Sequence, residues 1–194
     1  MNGYAQLNGS AVELTSGATG QAGSVWYKSK MNVAAFTTNF TFQQTSATAD
    51  GMTFTIQNSP SNVNALGGNG ASLGYAPLAS SVAIKFDLFS NAGEGPDSTG
   101  LYLNGATPTT PFVDLSSSPI NLHSGDVMAV HLVYNGTTLT MTITDNTTGG
   151  TYTNSWTVNI PSTVGSNTAY VGFTGATGGQ TAIQKVLTWS YASN

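Results

Sequence analysis

Along most of the chain apolar residues alternate with Thr, Ser, Asn or Gln, the pattern of strands with one buried face. The cleanest runs are Phe36-Thr37-Thr38-Asn39-Phe40-Thr41-Phe42, Met52-Thr53-Phe54-Thr55-Ile56 and Leu139-Thr140-Met141-Thr142-Ile143-Thr144. Strand-like runs also cover roughly 11–15, 23–28, 81–90, 127–134, 151–159, 168–174 and 182–191. Helical periodicity is nearly missing. Asn135-Gly136 predicts a tight hairpin, and the stretch 145–150 a longer connection. Two irregular stretches, 57–80 and 91–99, are long enough to carry function on a rigid sheet. No repeat, heptad or linker interrupts the pattern. It predicts an all-β sandwich of about a dozen strands, with residues 1–194 as a single domain.

Composition narrows the function. Only 6% of the 194 residues are charged, against an average of about 25%. There are four lysines, no arginine and eight acids, for a formal net charge of −4. No basic stripe exists to neutralise phosphates or anionic lipid, which argues against nucleic acid and polybasic membrane anchoring. A hydrophobic content of 39% excludes disorder by charge. Without cysteine there are no disulfides, thiolate zinc sites or thiol nucleophiles. A neutral, Thr-rich surface points to an extracellular or cell-surface β-protein. The start, Met1-Asn2-Gly3-Tyr4, has no charged or apolar leader region, so no signal peptide is expected in this stretch. Met1 is read as an introduced start or a processed boundary. No run of about 18 apolar residues occurs, and membrane insertion is not expected.

Eight carboxylates make the search for chemistry short. Asp126 and Asp145 read as turn residues, and Glu13 and Asp114 as solvated charges on strand-like edges. In the segment 82–91, Val82, Ile84, Phe86 and Leu88 form one apolar face. Lys85, Asp87, Phe89 and Asn91 fall on the other if the strand stays regular, and Glu94 and Asp97 follow at once. Hard oxygen donors grouped in this way suit Ca²⁺, although no EF-hand-type motif enforces it and a solvated loop is the alternative. Asp50 is a lone carboxylate before a strand, locally a turn Asp-Gly. The Gly-rich stretch 172–180 lacks the Lys and the helix of a phosphate loop. His123 and His131 read as packing or surface residues. Trp26, Trp156 and Trp189 read as core or strand-surface residues.

Taken together, these segments resemble a legume-type (L-type) lectin domain, in a bacterial-looking version. The carriers occur in the family's order: Phe40-Thr41-Phe42, Ala49-Asp50-Gly51-Met52-Thr53-Phe54, Leu73-Gly74-Tyr75, the segment 82–91, Tyr170 to Gly178, and Trp189-Ser190-Tyr191. The resemblance implies a jelly-roll sandwich whose loops over a curved sheet bind sugar. It implies that Asp50 follows a cis peptide and accepts hydrogen bonds from sugar hydroxyls. Asn91 would donate its amide to the sugar, and Phe89 would stack on the pyranose. Gly70 or Ala71 would give a backbone N–H, and Gly179 and Gln180 further donors. The implied calcium ligands are Asp87, the Phe89 carbonyl, Asn91 and a loop carboxylate, Glu94 in preference to Asp97.

One departure matters. The plant members place a transition-metal Glu two residues before the calcium Asp; here it is Lys85, and Ser98, Thr99 and Gly100 occupy the region of the usual His ligand. A protonated Lys cannot ligate, but could fill the second metal's place and pair with Asp87. The expectation is one calcium and no manganese-type site. The leading function is calcium-dependent, non-catalytic binding of a mono- or oligosaccharide or glycoconjugate. An adhesion module without a working sugar site is the alternative. A glycoside hydrolase of the same fold ranks last, because Lys85 and Ser90 stand where its two essential Glu belong. A homodimer through the flat sheet is compatible with the low charge.

Overall fold

The computed structural model describes residues 1–194 as two antiparallel sheets packed face to face. The first holds, in spatial order, β1 (Asn2–Gly3), β4 (Ala22–Trp26), β14 (Thr168–Ala176), β7 (Gly51–Gln57), β8 (Ser81–Asp87), β9 (Ser98–Leu103) and β10 (Val113–Asp114), with β5 (Met31–Asn32) paired to β14. The second runs β13 (Thr151–Thr157), β12 (Thr138–Asp145), β11 (Val127–Tyr134), β6 (Phe36–Thr45), β15 (Ile183–Ser193), β3 (Ala11–Ser16) and β2 (Gln6–Asn8). No helix is long and apolar enough to cross a membrane. The one α-helix, α1 (Ile160–Val164), is capped by Asn159, whose side chain accepts the Ser162 N–H.

The period-two reading holds best in the seven-stranded sheet. In β12, Leu139, Met141 and Ile143 point into the core while Thr140 and Thr142 face out. Their hydroxyls meet Ser155 and Thr153 of β13, each at 2.9 Å, so the outer face satisfies itself without charge.

Phe40 of β6 is the hub between the sheets. Its ring centre lies 5.6 Å from Phe54, 5.9 Å from Phe86 and 5.0 Å from Phe173, one residue from each of β7, β8 and β14. Such pairs add about 0.5–1.5 kcal/mol each beyond their buried area.

The eight-stranded sheet departs from the expectation. Every residue of β7 and β8 is buried, on both faces. The stretch 58–80 covers the outer face, placing Tyr75 and Ala76 against Ala83 and Tyr102, and Ala65 and Leu78 against Trp26. The Thr hydroxyls there are internal links: Thr53 to Thr174 at 2.7 Å, and Thr174 donating to Leu73 O at 2.7 Å. Gly74 makes this layer possible, since a Cβ there would come within 2.9 Å of Gly175 O.

Other expectations need correction. There are fifteen strands, several of only two or three residues. The stretch 91–99 is not loop throughout, because β9 begins at Ser98 and pairs along β8. β8 itself ends at Asp87, so Phe89 and Asn91 are loop residues. Glu13 is not solvated: it is buried and accepts Gln6 Nε2 at 3.0 Å and Asn8 Nδ2 at 2.7 Å, with Lys185 Nζ at 3.4 Å.

Replacing the hub tests this packing. Phe40→Ala is expected to cost about 3–5 kcal/mol in urea unfolding. Thr140→Ala, on the outer face, should stay within about 0.5 kcal/mol of the parent.

Candidate functional site

Four separated segments meet at one end of β7, β8 and β14. They are the approach to β7, the turn at Gly70–Ser72, the loop after β8 and the loop after β14. Backbone hydrogen bonds fix their arrangement. Asp50 N–H donates to Ala176 O at 3.2 Å, Leu88 N–H to Asp50 O at 2.7 Å, and Gly70 N–H to Thr177 O at 3.1 Å. The Ala49–Asp50 peptide is cis. Gly51 follows at φ 150, where a Cβ would lie 2.5 Å from Phe86 O, so β7 and β8 come this close only with glycine.

The segments enclose a cavity of about 370 Å³. Asp50, Gly70, Ala71, Phe89, Asn91, Gly179 and Gln180, named from the sequence, all line it, together with Ala49 and Gly178. Phe89 is 40% exposed, a surface ring and not a core one. Asp50 is buried, and its Oδ2 has no hydrogen-bond partner. Burial raises its pKa, opposed by the Gly178 N–H and the Asn91 amide. Gly178 was missed as a lining residue. A Cβ there would fall 2.9 Å from Asp50 Oδ2 and 3.3 Å from Gly70 Cα, and its place in a run of glycines was the available signal. A larger cleft of about 450 Å³ lies between the sheets, lined by apolar side chains that include Trp26, Phe173 and Trp189, and contains no carboxylate.

Beside the cavity lies a buried charge cluster. Lys85 Nζ is 2.8 Å from Asp87 Oδ2 and 3.9 Å from Glu94 Oε1, with all three side chains buried. Asp87 Oδ1 accepts the Phe89 N–H at 3.3 Å, and Glu94 Oε2 accepts the Ala92 N–H at 2.5 Å. Burial pushes the Asp87 carboxyl up to about 6, although Lys85 pulls the other way. Asp97 is placed elsewhere: its Oδ2 accepts the Leu122 N–H at 3.1 Å, and His123 and Asp114 are the charged groups that act on it. His123, read from the sequence as packing or surface, has its ring nitrogens 2.7 Å from Ala47 O and 2.6 Å from Pro96 O. It ties the approach to Asp50 to the loop after β8.

The legume lectin domain model matches residues 1–194. The chain belongs to the legume lectin family. Favin of Vicia faba is 31% identical over 181 residues, covering 87% of this chain and 75% of favin. Among solved structures, the Bauhinia forficata lectin in complex with GalNAc is 25% identical with a TM-score of 0.83, covering 100% of this chain and 91% of that one. The basic winged bean lectin with Tn-antigen is also 25% identical at a TM-score of 0.83, over 98% and 90%. These are plant proteins, so they lend the bacterial-looking version no support. Legume lectins are non-catalytic carbohydrate-binding proteins and typically hold Ca²⁺ and Mn²⁺.

The donors present suit those two ions unequally. Asp87, Glu94, the Asn91 amide oxygen and the Phe89 carbonyl are the hard oxygens that calcium takes. Glu94 Oε1 is buried without a hydrogen-bond donor, an orphan that a cation would satisfy. No group of three or more His, Cys, Asp or Glu could hold a metal, so calcium would depend on the amide and carbonyl donors. A transition-metal site does not fit. Lys85 stands on the carboxylates, and Ser98 faces Asp87 across the strand pair.

The Asp97 environment predicts a pH slope. Burial holds its carboxyl at about 6 in the fold, above the ordinary 3.8. The folded chain therefore binds this proton more tightly than the unfolded one, and stability falls as pH rises from about 4 through about 6. In chelator, Asp97→Asn is expected to flatten this part of the melting-temperature profile and to melt a few degrees higher than the parent at pH 7. A mutant profile parallel to the parent's would contradict it.

Proposed function

We propose that this chain is a calcium-dependent, non-catalytic binder of neutral sugars that works outside the cytoplasm. The observation that carries the reading is the unpartnered Asp50 Oδ2 at a cavity that is also lined by Asn91, by the exposed Phe89 ring and by the Gly178–Gln180 turn, while the Gly70 N–H is already given to Thr177 O. Vicinal sugar hydroxyls donate to a carboxylate and accept from an amide or N–H, and the apolar face of a pyranose suits an aromatic ring. Asp50, Asn91 and the 178–180 turn would bind the hydroxyls, while Phe89 would orient the ring. Calcium, when bound, supplies a charge that fixes the Asn91 amide oxygen and so leaves its NH₂ toward the sugar. Asp87, the Phe89 carbonyl, Asn91 and Glu94 are the residues that would hold it.

The class of sugar follows from charge. No lysine lines the cavity: Lys85 is paired inside, Lys185 meets Glu13, Lys30 sits over the Tyr170 ring, and Lys28 borders the apolar cleft. Asp50 is the only ionisable lining group, so the cavity offers no cationic side chain to pair with a carboxylated or sulfated sugar. Each sugar hydrogen bond replaces one to water, for a net gain of about 0.5–1.5 kcal/mol, so single-site binding is weak and avidity needs several sites.

A glycan array probed with and without chelator tests this. The expected result is binding to a neutral glycan class, absent for sialylated and sulfated relatives and lost on chelation. Asp50→Ala should abolish it, and Gly178→Ala should weaken it by about tenfold or more, through crowding of Asp50, with little change in melting temperature. A folded protein that binds nothing in calcium would favour the adhesion module instead.

A further inference from the structure

The cluster beside the cavity contains a cation of its own. Lys85 is fully buried in the middle of β8. Its ammonium lies 2.8 Å from Asp87, 3.9 Å from Glu94 and 5.6 Å from the centre of the Tyr102 ring. A buried ammonium persists only where opposite charge and polar contacts compensate it. Here that compensation comes from the two acids that bracket the loop carrying Phe89 and Asn91.

The connections run outward from the ammonium. Asp87 accepts the Phe89 N–H, and Glu94 accepts the Ala92 N–H. The loop is thus tied to an acid at Phe89 and again at Ala92, and both acids face one ammonium. The ammonium cancels one of the two carboxylate charges, which leaves attraction for one divalent ion. A second ion at Lys85 would meet a positive group with no lone pair to offer. Across the sheet, Ser98 pairs in register with Asp87, and its buried Oγ has no hydrogen-bond partner.

We propose that the Lys85 ammonium is a built-in replacement for the second cation of this site, and that it keeps the 88–97 loop folded when no divalent ion is bound. Lys85 is a positioning residue in this scheme: it lines no part of the cavity, and acts on Asn91 and Phe89 through Asp87 and Glu94. The inference rests on the sugar-binding reading for the purpose of the loop, but its test uses no sugar. Failure of one is therefore distinguishable from failure of the other.

The test uses the whole chain, stripped with chelator and then loaded with Ca²⁺ or Mn²⁺. In the parent, hydrogen exchange across 88–97 should remain protected in chelator, and metal analysis should find no more than one ion per chain. In Lys85→Met, which keeps the bulk and removes the charge, the loop should lose protection in chelator. Melting should fall by about 10 °C, because two buried acids lose their partner. Mn²⁺ should restore the variant's loop while leaving the parent's unchanged, a response that a purely packing role would not produce. A parent loop that opens in chelator would overturn the proposal, as would two ions per parent chain. So would a Lys85→Met loop that stays closed in chelator, or one that stays open in Mn²⁺. If Lys85→Met does not fold, the exchange and metal count of the parent decide alone.

Discussion

Burial of β8 on both faces is the constraint around which the rest of the structure is arranged. Its inward side chains, Val82, Ile84 and Phe86, join the Phe40 hub; of its outward ones, Ser81 and Ala83 meet the covering stretch 58–80, and Lys85 and Asp87 meet the loop that follows the strand. Every polar group on the strand must then find its partner inside the protein, because water cannot supply one. Lys85 finds Asp87 and Glu94, and its carbonyl accepts the Thr99 hydroxyl at 2.8 Å. The strand that organises the core therefore delivers a compensated charge cluster to the edge of the cavity.

The cavity depends on close backbone approach at the same end of the sheet. Gly51, Gly70 and Gly178 stand where Asp50, the 70–72 turn and the last loop crowd together. At Gly51 a side chain would strike the backbone of β8, and at Gly178 it would strike the Asp50 carboxylate. Glycine at these points lets the Asp50 carboxylate, the 70–72 turn and the last loop border the same small volume. His123 adds a brace from the far side, between the carbonyls of Ala47 and Pro96. The site is thus assembled from loops, but held by strands and buried polar contacts.

Some of this was legible along the chain. Alternation in 36–42 and 139–144 located β6 and β12 because those strands bury one face and expose the other. Alternation misled for β7 and β8, whose Thr and Ser residues read as solvent-facing and are buried under a third layer. Glu13 misled in the same way, since a lone acid on an edge gives no sign of the Gln6 and Asn8 amides folded back upon it. β9 was hidden because Ser98 and Gly100, residues of weak strand character, flank Thr99 at its start directly after the acidic loop, and only its pairing along β8 reveals it. Nothing along the chain distinguished the directions of the two loop acids: Glu94 turns toward Lys85, while Asp97 turns to the Leu122 N–H.

By itself the sequence determined the all-β class and the course of the long strands that bury one face, and both follow from local periodicity. The residues expected around the cavity came instead from the resemblance of six ordered segments to the legume lectin family, since Asp50 alone reads as a turn residue. The tertiary structure decided which polar residues are buried and which acid answers Lys85. It also decided that Gly178, Asp50 and Gly70, far apart in sequence, crowd against one another. These depend on long-range approach of segments, and a charge or a hydroxyl is written the same way in the sequence whether water or another strand covers it.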